Sequence, residues 1–306
     1  FEIISVISLP IKKMSNVMLN IDEFLNYLKC ELNRSQRTID SYAEDLKSFE
    51  AYFKNLSDSL SWETVDSDVI RNWMEYMMDR GNKATSVCRR LSSLRTFYRY
   101  ALTRHLVNSD PAHKIRPPKT EKPLPQFLKE NEMDNLLDRQ MWGDDFNDVR
   151  ARTIIVTFYE TGMRLSELLG LDDKSVDFVN REIKVTGKGD KQRVIPFGDE
   201  LLETLQDYMR LRDQTVEKKT SALFLSETGK RMSPNAVRAI VKQCLSRVSS
   251  LKKKSPHVLR HTFATAMLNH DAEIESLKRL LGHAKLSTTE IYTHTTFEQL
   301  KRVYNE

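Results

Sequence analysis

Apolar residues recur at helical spacing through the first third of the chain. Within residues 19–107, two stretches carry large apolar side chains three and four positions apart, namely Ile21, Phe24, Leu25 and Leu28, then Tyr42, Leu46, Phe49 and Phe53. This spacing places each set on one face of a helix. Further helices are predicted near 67–80, with Asp66 or Ser67 as the cap and Gly81 beyond the end, and near 84–102. The pattern predicts a small bundle of four or five helices.

Helical periodicity stops at the segment IRPPKTEKPLPQFL, which contains Pro117, Pro118, Pro123 and Pro125. Proline at this density blocks helix and sheet and makes a stiff, extended tether. A chain of 306 residues is long enough for two domains that each bury a core. We therefore expect a first domain at 17–115, a linker at 116–128 and a second domain at 129–306. Residues 1–16 are expected to be a non-native or disordered extension, with translation beginning at Met14.

The second domain is predicted to be mostly helical, with one interruption. In REIKVTGKGDKQRVIPF, Ile183 and Val185 alternate with polar residues, and the alternation resumes at Val194 after the GKGD stretch. This pattern is typical of a β-hairpin with a glycine-rich turn. Helices are predicted at 201–212, 234–248, 256–268, 274–281 and 288–304. The predicted fold class is mainly α, with a helical bundle followed by a mostly helical domain that holds a small antiparallel hairpin or sheet.

Composition narrows the class of protein. Hydrophobic residues make up 40% of the chain, charged residues 30%, and the net charge is +5; these values are typical of a soluble globular protein. The mild basic excess permits nucleic acid as a partner but does not establish it. No apolar run approaches the roughly 20 residues that a membrane helix needs. Cys30, Cys88 and Cys244 lie far apart, which predicts reduced thiols in the cytoplasm rather than a disulfide framework or zinc site.

Two segments place a cation beside glycine. In TGMRLSELLGL, Arg164 stands at the start of a predicted helix, where unpaired N–H groups and the helix dipole favour anions. The alternative is an ion pair between Arg164 and Glu167, and for this segment alone it is the better interpretation. In GKGDKQR, Lys188 occupies the hairpin tip, and the alternative is an ordinary solvated turn lysine. A Walker A loop is excluded, because the first glycine and the Ser or Thr after the lysine are missing.

Two later segments carry histidines and a tyrosine. In SPHVLRHTFATAM, His257, Arg260 and His261 share one face of a predicted helix. A zinc site resembling HExxH is disfavoured, because position 258 is Val rather than Glu and Arg260 repels a cation. In LLGHAKLSTTEIYTH, His283 follows the helix terminator Gly282, and Tyr292 lies in the next predicted helix. The alternative for an isolated tyrosine is a partly buried packing residue.

Taken together, these groups form a coherent set for phosphoryl transfer without a metal or cofactor. Arginines stabilise the charge on a pentacovalent phosphorus, and general acids and bases serve its two reacting oxygens. A tyrosine is a suitable nucleophile where the covalent product must conserve the energy of the diester.

The order of these segments closely resembles the tyrosine recombinases, also called the phage integrase family. The resemblance rests on TGMRLSELLGL, GKGDKQR, HVLRH, LLGH and STTEIYTH, in that order. It extends to SQRTIDSYAEDLKSFEAYF, which looks like the core-binding domain of that family, so that 17–115 is expected to be the core-binding domain and 129–306 the catalytic domain. The length of the chain resembles that of Xer-type members.

The resemblance implies a role for each matching residue. Arg164 and Arg260 would clamp the non-bridging oxygens of the scissile phosphate, and Lys188 would protonate the leaving 5′ oxygen. His257 would assist proton transfer at the tyrosine, His283 would hold the phosphate, and Tyr292 would form the 3′-phosphotyrosyl link. Double-stranded DNA would be the substrate, and the protein would act as a homo-tetramer or as a hetero-tetramer with a related recombinase.

Several residues of the first domain are candidates for DNA contact. The segment KATSVCRRLSSLRTFYRY is rich in cations, and we expect one side of its helix to follow the phosphate backbone. The expected DNA-binding residues are Thr38, Tyr42, Lys83, Arg89, Arg90 and Arg95. Thr38 and Tyr42 are chosen by resemblance to the family. Arg89 points about 120° away from Arg95 round the helix, so the charges do not all face one duplex.

The leading hypothesis is a site-specific recombinase for Xer-like resolution of chromosome or plasmid dimers. The alternatives are an integrase or excisionase-type recombinase of a mobile element, an enzyme resembling type IB topoisomerase, and an inactive DNA-binding protein. The two-domain layout and the GKGDKQR hairpin favour a recombinase over a topoisomerase, and the complete set of six residues disfavours an inactive protein.

Overall fold

The computed structural model describes residues 19–120, 125–187, 189–270 and 272–282. The chain divides into two compact units between Lys122 and Pro123, inside the segment for which the sequence predicts a linker. The expected extension at 1–16 and the helix expected at 288–304 lie outside the described residues.

The first unit contains four described helices. Their first turns are stabilised by side chains that accept backbone N–H groups: Asn20 before the first helix, Ser35 before the second and Asp66 before the third. The helices are α1 Ile21–Cys30, α2 Gln36–Leu56, α3 Ser67–Asp79 and α4 Ala84–Thr103.

The core of the first unit contains a cluster of aromatic rings. Trp62 packs its ring against Phe49, Phe53 and Phe97 at centroid distances of 5.7, 5.2 and 4.6 Å. The hydroxyl of Tyr98 donates to the carbonyl of Trp62 at 3.1 Å, which ties the α2–α3 connection to α4. Aromatic side chains bury a large area each, so this small bundle acquires a core from few residues.

The second unit is built around one buried helix. The described helices are α5 Glu130–Leu137, α6 Phe146–Thr161, α7 Leu165–Leu169, α8 Asp199–Thr215, α9 Pro234–Val248, α10 Pro256–Asn269 and α11 Ile274–Leu281. Helix α6 packs against α8, α9 and α10 and is buried nearly all round. Its threonines satisfy their hydroxyls within the helix, as Thr157 does by donating to the carbonyl of Thr153 at 2.6 Å.

A small antiparallel sheet interrupts the helices of the second unit. Its strands are β1 Val176–Asp177, β2 Glu182–Thr186 and β3 Gln192–Pro196, in the order β1-β2-β3. Ile183 pairs with Ile195 and Val185 with Arg193. The predicted mainly helical fold with a small antiparallel sheet is confirmed. Among the described residues, no helix is long and apolar enough to cross a membrane.

Candidate active site

Arg164 is placed by the sharp turn that ends α6. Gly162 closes the helix with a φ of +57°, and a Cβ there would lie 2.3 Å from the ring of Phe263, so glycine is required both by conformation and by space. The chain then enters α7, where the backbone N–H of Arg164 donates to Glu167 Oε2 at 2.7 Å. Arg164 is thereby fixed at the helix start that the sequence predicts.

The guanidinium of Arg164 is anchored on two sides. Its Nη1 donates to Glu167 Oε1 at 3.0 Å and its Nη2 to the carbonyl of Gly282 at 3.0 Å. The pair with Glu167, which the sequence offers as an alternative, is therefore present. It is compatible with a role in anion binding, because the side chain of Arg164 keeps 34% of its surface accessible.

Arg260 lies deeper, with 5% of the residue exposed. Its Nη1 donates to the carbonyl of Gly162 at 2.6 Å and its Nη2 to the carbonyl of Leu281 at 2.7 Å. Arg164 and Arg260 therefore bind neighbouring carbonyls at the end of α11. Arg260 also binds the carbonyl of Gly162, two residues before Arg164. Both guanidiniums are therefore held beside the same turn.

The histidines of α10 belong to the same surroundings. Desolvation lowers the pKa of His257, and the charges of Arg260, Arg164 and Arg238 lower it further, although the residue is exposed. Burial lowers the pKa of His261 to about 4, with His257 and Arg260 adding to the effect. The lowered pKa of His257 favours the neutral imidazole, which can accept a proton.

Glu167 and Arg193 adjoin Arg164; the sequence offers Glu167 only as an ion-pair partner of Arg164 and gives no indication of a role for Arg193. Glu167 is buried, with 2% exposed. Arg193 donates from Nη1 to Glu167 Oε1 at 2.7 Å and from Nη2 to Oε2 at 2.9 Å. Burial alone would raise the pKa of Glu167, but the hydrogen bonds and charges of Arg193 and Arg164 outweigh it, so this pKa is lowered. The carboxylate is therefore ionised and shared by two arginines.

The β2–β3 hairpin begins beside this carboxylate. The N–H of Gly187 donates to the carbonyl of Lys191 at 2.8 Å and closes the turn. A Cβ on Gly187 would lie 3.3 Å from Glu167 Oε1. The backbone at the entry to the turn thus approaches Glu167 closely.

Of the six predicted catalytic residues, three lie within the described part of the chain. Arg164 and Arg260 come together at the end of α11, and His257 lies one turn before Arg260 on α10. Lys188, His283 and Tyr292 lie outside the described residues. In the sequence, Lys188 follows Gly187 and His283 follows Gly282, so both adjoin residues of the candidate site. Within the described ranges, no group of His, Cys, Asp and Glu side chains has the arrangement of a metal site.

The predicted DNA-binding residues of the first unit have varied surroundings. Arg89 pairs with the buried Asp45 and donates to Ser41 Oγ at 2.6 Å, yet 47% of its side chain is exposed. Arg90 lies 3.7 Å from Asp45 and is mostly covered. Arg95 donates from Nε to the carbonyl of Ala112 at 3.1 Å and from Nη2 to that of Ile115. Arg90 and Arg95 thus have internal contacts, and their contact with DNA stays a prediction.

Of the other three candidates, Lys83 is exposed and Thr38 and Tyr42 are half-buried. Lys83 precedes α4 and is exposed. Thr38 exchanges a hydroxyl hydrogen bond of 2.9 Å with Ser35 at the start of α2. Tyr42 is half-buried, with its hydroxyl 3.4 Å from Thr96 Oγ1. A DNA contact by any of them also stays a prediction.

Sequence profiles match both parts of the chain. The profile of the phage integrase family matches residues 126–299, and that of the phage integrase N-terminal SAM-like domain matches residues 21–105. The chain is 38% identical to the tyrosine recombinase XerC of Pelotomaculum thermopropionicum, over 94% of this chain and 97% of the relative. It is 34% identical to the tyrosine recombinase XerD of Staphylococcus aureus strain N315, again over 94% and 97%.

Solved structures share the fold. The crystal structure of XerA recombinase aligns with a TM-score of 0.52 at 26% identity, covering 93% of this chain and 96% of that one. The XerH site-specific recombinase, bound to a palindromic difH substrate in a post-cleavage complex, aligns with a TM-score of 0.74 at 21% identity. That alignment covers 93% of this chain and 83% of the XerH chain.

Proposed function

The chain belongs to the phage integrase family, and from this premise we propose that it is a site-specific DNA recombinase that cuts and rejoins strands through a 3′-phosphotyrosyl intermediate. The observation that carries the proposal is the meeting of Arg164 and Arg260 on consecutive carbonyls at the end of α11. Two guanidiniums fixed in this way supply preorganised positive charge for a phosphodiester, and no reorganisation is needed when the transition state forms.

The reaction assigns one task to each residue. Tyr292 attacks the phosphorus, the 3′ oxygen stays bonded to it, and the 5′ oxygen leaves with a proton from Lys188. Arg164, Arg260 and His283 stabilise the non-bridging oxygens, and His257 assists removal of the proton from the tyrosine. The lowered pKa of His257 supports this assignment, because it favours the neutral imidazole. A 5′-hydroxyl from a partner strand then attacks the phosphotyrosine, and the energy of the original diester is conserved throughout.

The relatives favour a Xer-type role over other recombinases. Curated relatives named XerC and XerD match nearly the whole chain at 34–38% identity. We therefore propose resolution of chromosome or plasmid dimers in the cytoplasm, by a tetramer on DNA that contains either this chain alone or a related recombinase as well. An integrase of a mobile element is the second candidate, since the profile of the phage integrase family matches residues 126–299.

Covalent trapping tests the chemistry and also identifies the DNA site. The purified chain is incubated with nicked duplexes that carry a randomised segment, in which the released strand piece diffuses away and rejoining is blocked. We expect denaturation-resistant adducts whose DNA shares a sequence, and we expect none with Tyr292→Phe. Tyr304→Phe, which removes another hydroxyl from the same part of the chain, is the matched control and should form adducts normally. Absence of adducts from the unmodified chain would contradict the proposal and favour an inactive DNA-binding protein.

Strand exchange separates a recombinase from a topoisomerase. Two duplexes that carry the selected sequence and different labels are mixed with the protein. We expect products that combine both labels. Relaxation of supercoiled DNA with no joining of the two duplexes would instead favour chemistry of the type IB topoisomerase kind.

A further inference from the structure

Arg193 joins three separate segments of the candidate active site. It lies on β3, it holds Glu167 of α7 through two parallel hydrogen bonds of 2.7 and 2.9 Å, and its Nε donates to the carbonyl of Leu280 in α11 at 2.7 Å. We propose that Arg193 is a positioning residue for DNA cleavage: it locks the β2–β3 hairpin, Arg164 and the end of α11 into one arrangement. The inference rests on the proposed recombinase function.

The end of α11 shows why the three arginines depend on one another. The carbonyls of Leu280, Leu281 and Gly282 accept hydrogen bonds from Arg193, Arg260 and Arg164 respectively. The last carbonyls of a helix lack partners within the helix, and they carry the negative end of its dipole. Each guanidinium therefore helps to fix the carbonyl that the neighbouring guanidinium binds. These three carbonyls belong to the residues that directly precede His283 in the sequence.

Two glycines mark how closely the segments approach. A Cβ on Gly282 would lie 3.2 Å from Arg193 Nη1, and Gly282 itself has a φ of +63°. A Cβ on Gly187 would lie 3.3 Å from Glu167 Oε1. The pair of Arg193 and Glu167 is thus enclosed by backbone from the hairpin on one side and from the end of α11 on the other.

The surroundings of Arg193 assign it to positioning rather than to phosphate binding. Its Nη1 and Nη2 donate to the two oxygens of Glu167, so its charge is balanced by this carboxylate. Arg260 is also buried, but its Nη1 and Nη2 donate to neutral backbone carbonyls. Arg164 shares Glu167 as well, but its side chain is 34% exposed, against 16% for Arg193. Arg193 reaches the reaction through Glu167, because this carboxylate also accepts from the backbone and side chain of Arg164.

Replacing Arg193 should slow cleavage without weakening DNA binding. The test measures single-turnover adduct formation and the dissociation constant on the nicked duplex that the trapping experiment selects. We expect Arg193→Gln to cleave about 100-fold more slowly at saturating protein, because small misplacements of catalytic groups have effects of this size. The dissociation constant should stay within about 2-fold. Arg193→Lys should restore part of the rate, since lysine keeps the charge but not the two parallel bonds.

The pH profile separates positioning from general damage to the fold. Among the described residues, Arg164 and Arg193 are the charged groups that hydrogen-bond to Glu167. Burial raises the pKa of Glu167, and Arg193 and Arg164 counteract this rise. Without Arg193 the pKa of Glu167 should therefore increase. The acid side of the cleavage profile should therefore move to higher pH in Arg193→Gln. His257 titrates on the same side but is retained in every variant.

Arg181→Gln is the matched control. Arg181 precedes β2 on the same hairpin and pairs with Asp199 at 2.8 Å on the surface. We expect it to retain the unmodified rate and profile. The inference is overturned if Arg193→Gln behaves like this control, or if its loss is equal at every pH and accompanied by an equal loss of DNA affinity. If the glutamine variant does not fold, Arg193→Lys decides, and a rate equal to that of the unmodified chain overturns the inference. Failure of the unmodified chain to form adducts would instead reject the proposed function.

Discussion

Each unit of the protein contains a buried carboxylate that holds two arginines, and the two carboxylates are satisfied very differently. In the second unit, both oxygens of Glu167 accept hydrogen bonds from Arg164 and Arg193. In the first unit, Asp45 Oδ2 accepts from Arg89 and from Ser93, but Oδ1 has no hydrogen-bond partner among the described residues. Arg90 lies 3.7 Å from that oxygen without a hydrogen bond.

From this difference we infer that Glu167 fixes the geometry of its two arginines, whereas Asp45 mainly supports the packing of its unit. A fully satisfied buried network admits one arrangement of its members, whereas a partly satisfied network tolerates others. Glu167 thus suits a site where two guanidiniums must stay in place. Asp45 connects α2 to α4 while Arg89 remains largely at the surface.

Replacing each buried carboxylate by its isosteric amide should give the largest difference between the two units in the free energy of unfolding. Glu167→Gln must direct its NH₂ group at an arginine N–H in either orientation, so we expect a loss of about 3 kcal/mol in the free energy of unfolding of the second unit. Asp45→Asn can place its NH₂ group where Oδ1 has no partner, and it keeps an oxygen for Ser93 and Arg89. We expect a loss of about 1 kcal/mol there. Hydrogen exchange of peptides from α10 and from α2 measures the two losses separately.

The unmodified chain and Arg181→Gln serve as references in the same experiment, because the latter alters only a surface ion pair. Equal losses of stability in Glu167→Gln and Asp45→Asn would contradict the distinction between the two carboxylates. A larger loss for Asp45→Asn would reverse it.

The two units should also differ in their response to acid. The pKa of His261 is lowered to about 4 from its ordinary value of 6.5, whereas His105 and His113 of the first unit are exposed. Below pH 6.5 the unfolded chain binds a proton that the folded second unit does not bind until about pH 4. The contribution of neutral His261 to the free energy of unfolding of the second unit is therefore fully present above this pH window. It is lost as pH falls through the window. We expect a loss of about 1–2 kcal/mol, reduced by the partial exposure of His261.

Urea unfolding at about pH 7 and about pH 5 checks this dependence, with α10 followed by a hydrogen-exchange pulse at one common pH. His261→Gln should lose most of the dependence. His270→Gln is the control at the residue that follows the same helix, because His270 is exposed. A dependence that survives in His261→Gln would place its origin in another group.

Motifs in the sequence point to Arg164, His257 and Arg260, and the structure places Arg164 and Arg260 on consecutive carbonyls, but no motif assigns a role to Arg193. Arg193 sits in an alternating strand pattern, where an arginine is ordinarily solvated, and its role arises from contacts with α7 and α11 that are distant in sequence. In the sequence, Glu167 is recognisable only as an ion-pair partner of Arg164. The structure shows that this pair is part of the site.

The fold was predicted best where apolar periodicity extends over many residues. The long helices α2, α4 and α9 follow from it. The central helix α6 and the two-residue β1 do not, because α6 is buried nearly all round and lacks a polar face, and tertiary pairing defines β1. On α4, helical geometry indicates which arginines share a face. It does not reveal that Arg95 finds acceptors at Ala112 and Ile115, beyond the end of the helix.

The smallest expected effect tests whether internal contacts decide which arginines remain available to DNA. Arg89 is 47% exposed despite its pair with Asp45, whereas Arg95 donates to two carbonyls of its own unit. We expect Arg89→Gln to reduce the slope of log affinity against log salt by about one unit, because one phosphate contact is lost. Arg95→Gln should keep the slope and instead lose about 1 kcal/mol of stability, since the carbonyls lose their donor. Fluorescence anisotropy on the selected duplex at several salt concentrations measures the slope. An unchanged slope in Arg89→Gln with a reduced slope in Arg95→Gln would mean that the hydrogen bonds of Arg95 open on binding, and exposure in the free protein would then be a poor guide to DNA contact.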